Sequence, residues 1–210
     1  QKWLPVMPGV RGRFSSSLCY RLAVGNPRVF VKNGFRESPN TAVHILLDSS
    51  GSMNDSGLMF ANAVCYAVGK ALQGIKLGIT AFPGANRAKR GATVAPVLRH
   101  GEKLTARFPE IAYGMTPMAE SLWWVMQQMC LLRENRKIIL IITDGEPDSI
   151  PAAQEAFKQA QKKGFECYGL GIMCSSIATL RPHTSRVIET LPQLAPALFK
   201  LLEGALRRKA

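Results

Sequence analysis

Residues 138 to 142 read IILII, five consecutive aliphatic side chains between Lys137 and Thr143. A strand whose two faces are both apolar cannot leave either face in water, so the sheet it belongs to must be covered on both sides. Around this run the pattern of the chain alternates. AVHILL (42 to 47), KLGITAF (76 to 82), KIILIIT (137 to 143) and FECYGLGIM (165 to 173) have the length and composition of strands. Between and after them come LMFANAVCYAVGKAL (58 to 72), TPMAESLWWVMQQMCLL (116 to 132), PAAQEAFKQAQKKG (151 to 164) and LAPALFKLLEGALRR (194 to 208), all with helical spacing. Thr116 and Pro117 suit the start of the second helix, with Glu120 near a capping-box position, and Gly164 closes the third. TVAPVL (93 to 98), whose Pro96 suits an edge, and RVIET (186 to 190) add two more strands. Strand and helix in alternation predict a doubly wound α/β fold, a mostly parallel sheet of six strands with one antiparallel edge strand.

The chain of 210 residues is long enough for one domain with its own core. Residues 41 to 210 form that domain. Residues 1 to 40 read as a basic arm rich in Pro, Gly and Ser, with seven basic residues against one acidic and a single strand over 27 to 32. No apolar run approaches the roughly 20 residues of a transmembrane helix. The first residue is Gln1, so the chain reads as a piece cut from a longer one. Five cysteines without a C-x-x-C pair suggest reduced thiols and a cytoplasmic setting, with Cys65 and Cys130 buried in apolar helices. A net charge of +13 points to an acidic partner. The positive charges are scattered and lack an aromatic stripe, which argues against nucleic acid, although the basic arm keeps that reading open.

In such folds ligands bind beyond the carboxyl ends of the strands. Three polar insertions fall there: Asp48-Ser49-Ser50-Gly51-Ser52, Gly114-Met115-Thr116-Pro117, and Thr143-Asp144-Gly145. They offer carboxylates and hydroxyls, with no His or Cys nearby in sequence. Hard oxygen donors suit magnesium, manganese or calcium. A helix cap at Asp48 with serines filling a turn is the bland alternative. It leaves Thr116 and Asp144 unexplained.

D-x-S-x-S at 48 to 52, the threonine of G-x-T-P at 116 and the aspartate of strand-T-D-G at 144 resemble the metal-ion-dependent adhesion site of von Willebrand factor A (VWA) domains. The resemblance implies that Ser50, Ser52 and Thr116 lend hydroxyls to the ion, while Asp48 and Asp144 act directly or through water. It also implies that an acidic residue of a partner protein, or an acidic segment of the full-length chain, completes the coordination. NPRVFVKNGFRESPNTAVHILLDSSGSM and RKIILIITDGEPD, within residues 26 to 208, are similar to bacterial VWA domains of the CobT and NorD type. Those pair with AAA+ ATPases of the MoxR or CobS kind. The implied function is a magnesium-dependent protein-binding module that scaffolds or recruits substrates for such an ATPase. The alternative is an accessory subunit of a cobalt or magnesium chelatase in cobalamin biosynthesis, although DSSGSM departs from the DNSGSM of the chelatase subunit.

Other chemistries lack their residues. There is no Walker Gly-Lys-Ser/Thr run, no first glycine of a G-x-S-x-G elbow, and no second aspartate at position 50 for an aspartyl phosphatase. Residue 59, where an EF-hand needs Glu, is Met. His44, His100 and His183 are far apart in sequence, and no general base is in evidence, so the domain is not expected to be an enzyme by itself. Arg87, Lys89 and Arg90, in the loop after the second strand, form either a solvated tip or a guide for an acidic ligand. Of Trp123 and Trp124, adjacent on one helix, one belongs to the core and the other is free for a partner. Glu146 and Asp148 read as a solvated loop, with the option that one of them tunes the site through water.

Overall fold

The computed structural model describes residues 2–3, 7–9, 13–14, 24–26, 30–32, 35–36, 40–72, 74–84, 93–105, 107–180 and 182–207. The chain divides into two compact units, Gln1–Asn40 and Thr41–Ala210. In the first unit, Phe30–Lys32 pairs antiparallel with both Met7–Gly9 and Arg13–Phe14, and Lys2–Trp3 pairs with Phe35–Arg36. The segment read as holding one strand shows five short ones among its described residues, and strands of two or three residues are too short for a period to show.

The second unit follows the alternating pattern. β1 (Thr41–Asp48) leads through a 3-10 turn (Gly51–Met53) into α1 (Asn54–Ala71); β2 (Lys76–Phe82), β3 (Ala95–Leu98), α2 (Met118–Cys130) and β4 (Arg136–Thr143) follow. Then come α3 (Ile150–Lys162), β5 (Phe165–Ile172), the short α4 (Ser176–Thr179), β6 (Thr184–Ile188) and α5 (Leu194–Arg207). The sheet order is β6-β5-β4-β1-β2-β3. All pairs are parallel except β2 with β3, so the sheet is six-stranded and doubly wound with one antiparallel edge. Pro96 sits on that edge strand, opposite Thr80, the kind of position to which prolines in sheets are confined.

Every residue of β1 is buried, and its period of two divides them between two cores. Val43, Ile45 and Leu47 pack with Leu58, Val68 and Leu198 of α1 and α5. Ala42 and Leu46 pack with Leu122, Met126 and Phe157 of α2 and α3. The parallel register then brings the carboxyl ends to one edge. Leu47 pairs with Ile142, Asp48 with Phe82 and Gly171 with Thr143.

Several sequence expectations shift at the element ends. The first helix begins at Asn54 rather than 58, because the polar residues Asn54, Asp55 and Ser56 form its first turn. Thr116 does not cap α2: the cap position falls on Pro117, with no side-chain cap bond. The last strand ends at Ile188. Cys65 is buried, but Cys130 is exposed, since the buried stripe of α2 runs through Leu122, Val125, Met126 and Met129 and leaves position 130 off it. Trp124 packs partly buried on the second core, whereas Trp123 is exposed.

Ile141 is fully buried at the centre of β4. Ile141→Ala is expected to destabilise the fold by about 2–5 kcal/mol, read as a lower midpoint in urea unfolding with an unchanged slope.

Candidate metal centre

The chain must leave β1 without exposing its backbone polar groups to the core, and the local contacts do this through Ser49. Its N–H donates to the Phe82 carbonyl (2.7 Å), its carbonyl accepts from the Tyr113 N–H (2.9 Å), and its hydroxyl donates to the Pro83 carbonyl (3.1 Å). Gly51 N–H then donates to the Gly114 carbonyl (3.1 Å). Gly114 has φ 83°, a conformation that favours glycine, and a Cβ there would lie 3.3 Å from the Pro83 ring. Asn54, at φ 45°, ends the 3-10 turn, and its side-chain oxygen accepts from the Gly57 N–H (2.9 Å) and the Ser56 hydroxyl (2.8 Å). The first insertion is thus stitched to the end of β2 and to the second insertion.

Within this frame the oxygens gather. Asp48 is fully buried; one carboxylate oxygen accepts from the Ser50 N–H (2.9 Å) and the other from the Thr143 hydroxyl (2.5 Å). The hydroxyls of Ser50 and Ser52 are 3.0 Å apart, and Ser52 donates to Asp144 Oδ1 (2.7 Å). Thr116 approaches from the other side of Gly145: a Cβ built on Gly145 would lie 3.3 Å from Ser52 Oγ and 3.6 Å from Thr116 Oγ1. Glycine at 145 therefore leaves the space into which both hydroxyls face. The structure brings Asp48, Ser50, Ser52, Thr116 and Asp144 to one edge, while Arg87, Lys89 and Arg90 lie outside the described residues.

Two contributors had no role in the sequence, and a third, Asp148, had only the option of tuning the site through water. Thr143 holds Asp48, and Ser49 holds the loop. Asp148 accepts from the Thr116 N–H (2.7 Å) and returns its own N–H to the Thr116 carbonyl (3.1 Å). Asp148 therefore grips the threonine directly, as a two-bond clip between the second and third insertions. The signal available was an acid four residues after Asp144, which in sequence looks like any solvated loop acid.

The electrostatics of this edge are unbalanced. Burial pushes the Asp48 carboxyl from 3.8 up to about 6, against the opposing hydrogen bonds from Ser50 and Thr143 and with a further push from the charge of Asp144. Asp144 is also raised, chiefly by burial and against its bond from Ser52. Two carboxylates, each raised by burial, share this edge with neutral hydroxyls, an arrangement that a cation would relieve. Among the described residues no three His, Cys, Asp or Glu side chains gather at one point, so the donor set here is one of hydroxyls with two acids.

Because Asp48 binds its proton more tightly when folded than when unfolded, the folded state gains protons relative to the unfolded one between about pH 4 and 6. In EDTA, stability is expected to fall by on the order of 3 kcal/mol as pH rises through that window. Asp48→Asn should flatten the step and raise the pH 7 melting temperature in EDTA; an unchanged pH profile would show that Asp48 is ionised freely.

No protein-family model and no curated protein sequence matches the chain. Solved structures match it in fold. Proximal thread matrix protein 1 from the mussel byssus, with a zinc-occupied MIDAS motif, aligns with a TM-score of 0.64 and 12% identity over 79% of this chain and 46% of that chain. The manganese-loaded TRAP protein of Plasmodium vivax aligns at 0.60 and 16%, over 77% of this chain and 72% of that one. VWA2, an ArnB paralog from Sulfolobus acidocaldarius, aligns at 0.59 and 15%, over 80% and 47%. The chain thus spans just under half the length of the mussel and Sulfolobus proteins. At such identities the likeness is one of fold, and the fold is that of VWA domains.

Proposed function

We propose that this chain is a divalent-metal-dependent protein-binding module whose ion is held by Asp48, Ser50, Ser52, Thr116 and Asp144. The observation that carries the reading is the linked set of oxygens at the carboxyl edge of the sheet: Ser50 to Ser52 at 3.0 Å, Ser52 to Asp144 at 2.7 Å, and Thr116 facing the same space beside Gly145. Oxygen donors of this hardness favour magnesium, with manganese and calcium as close substitutes. When bound, such an ion attracts an anionic oxygen from outside.

The chain's own residues prepare that step. Asp48, held by Ser50 and Thr143 from within, keeps its carboxylate at the base of the site and away from solvent. Ser52, exposed, and Asp144, half-buried, form the outer side. Asp148 fixes the height of Thr116 through two bonds to its backbone: the Asp148 carboxylate accepts from the Thr116 N–H, and the Asp148 N–H donates to the Thr116 carbonyl. Hydroxyls bring no charge of their own, so an Asp or Glu of a partner remains attractive to the ion, and the excess of basic residues favours an acidic partner further. The similarity of NPRVFVKNGFRESPNTAVHILLDSSGSM and RKIILIITDGEPD to the CobT and NorD type supports a cytoplasmic partner of the AAA+ class, for which this domain is the recruiting or scaffolding arm rather than the catalyst. No described helix is long and apolar enough to cross a membrane.

Magnesium or manganese titration by calorimetry tests the site. Asp48→Ala or the pair Ser50→Ala, Ser52→Ala should abolish binding, whereas Asp148→Ala should keep the fold and weaken the metal by about 10–100-fold, as loss of an orienting partner does. Capture of a MoxR-type ATPase on the immobilised chain should depend on magnesium and fail with EDTA. Capture that is indifferent both to EDTA and to the serine pair would reject the reading.

A further inference from the structure

The rim of the oxygen cluster leaves large apolar side chains in water. Met115, beside Thr116, is 71% exposed, Met59 66% and Tyr113 62%, and Ile111 is exposed as well. Hydrogen bonds place these four next to one another. Asp55 Oδ1 accepts from the Ala112 N–H (3.0 Å) and Asn62 Nδ2 donates to the Pro109 carbonyl (2.7 Å). Segment 109–112 therefore runs along the face of α1 that holds Asp55, Met59 and Asn62, spaced i, i+4, i+7. The Tyr113 N–H then donates to the Ser49 carbonyl, and the Gly114 carbonyl accepts from Gly51, which carries the chain across the first insertion to Met115 and Thr116. The result is a continuous apolar strip from α1 to the edge of the oxygen cluster. On the far side, Ser176 donates to the Gly145 carbonyl (3.0 Å) and brings in the turn after β5 with its exposed Met173. Single exposed apolar residues are ordinary on a protein surface, but a contiguous strip that ends at a binding site marks an interface.

The charge of this rim runs against that of the chain. The net charge is +13, yet residues 41–69, 108–132, 138–157 and 164–180, which supply the three insertions, the strip and the turn after β5, contain no Lys or Arg. Asp55, Glu110, Glu146 and Asp148 are exposed there, while Arg87, Lys89 and Arg90 lie outside the described residues. Asp48 and Asp144 together match the charge of a divalent ion, so these further carboxylates leave the described rim negative when the ion is bound. One incoming carboxylate is held by the ion itself. A second or third meets only like charge and apolar surface, which opposes docking. The basic surplus elsewhere in the chain acts on the overall charge of a partner at a distance, whereas the rim selects the segment that docks.

Building on the metal-dependent reading above, we propose that the partner segment is apolar with a single carboxylate. One Asp or Glu completes the ion; bulky aliphatic or aromatic neighbours cover Met59, Ile111, Tyr113 and Met115 on one side and Met173 on the other; any further charge in the segment is basic. Asp55, Glu110, Glu146 and Asp148 exclude an acidic tract. Methionine suits such a face, because its unbranched, polarisable side chain adapts to partners of different shape. Recognition then has two parts: the ion demands a carboxylate, and the strip decides which carboxylate is accepted.

A random-peptide phage library selected on the immobilised chain in magnesium and eluted with EDTA reads both parts. The enriched sequences should hold one Asp or Glu beside bulky apolar residues and no acidic run. A synthetic peptide of the enriched sequence should weaken by about tenfold or more when its apolar neighbours are changed to serine, the scale of covering one large side chain. The pair Ile111→Ser, Met115→Ser, both at the surface, should erase that preference while calorimetry finds magnesium affinity unchanged. Enrichment of acidic runs, of sequences without a carboxylate, or of nothing that EDTA releases would overturn the proposal, as would a double variant that keeps the preference. The selection on the parent chain decides it even if the double variant does not fold. Calorimetry separates the two failures: a parent chain that binds magnesium but selects acidic runs loses only this inference, and one that binds no magnesium loses the metal site as well.

Discussion

A carboxylate at the end of a strand buried on both faces has to be satisfied by the protein around it, and Asp48 sets that requirement for the whole upper edge of the sheet. Its two oxygens are met by the Ser50 N–H and the Thr143 hydroxyl, one from its own loop and one from the neighbouring strand. The second bond is possible only because β1 and β4 are adjacent, parallel and in a register that pairs Leu47 with Ile142. The central pair of strands and the base of the proposed metal site are therefore one structure: a slip of one residue would reverse the faces of the strand and part Asp48 from Thr143.

From that base the three insertions are joined by backbone bonds rather than by apolar packing. Ser49 ties the first to β2, Gly51 ties it to Gly114, and Asp148 ties the third to Thr116. Directional bonds of this kind hold oxygen atoms at fixed separations, whereas apolar contacts of similar strength would allow them to slide. Small residues recur at the crossings for the same reason. Gly145 leaves room between Ser52 and Thr116, and Gly78 leaves room between two imidazoles further down the same strands.

Much of this was legible from residue order. The alternation of AVHILL, KLGITAF and KIILIIT with helical segments foretold the sheet, and DSSGS, Thr116 and Asp144 were each placed at the end of an expected element. The misreadings cluster where local pattern has little hold. Cys130 has apolar neighbours but lies off the buried stripe of its helix. Thr116 looks like a helix cap, yet its backbone is taken by Asp148, a residue 32 positions away. Asp148 itself resembles an ordinary loop acid until the fold places it against that threonine.

The sequence by itself determined the class of fold and the chemistry of the edge, because hydrophobic period and residue type are local properties that do not depend on which strands become neighbours. Tertiary structure alone decided which groups meet. The burial that moves Asp48 up to about 6, the clip from Asp148 to Thr116, and the two histidines facing one glycine all depend on the order β4-β1-β2 and its register. His44 and His100 are 56 positions apart in the chain, and only the pairing of β2 with β1 and β3 carries them to the same side of Gly78.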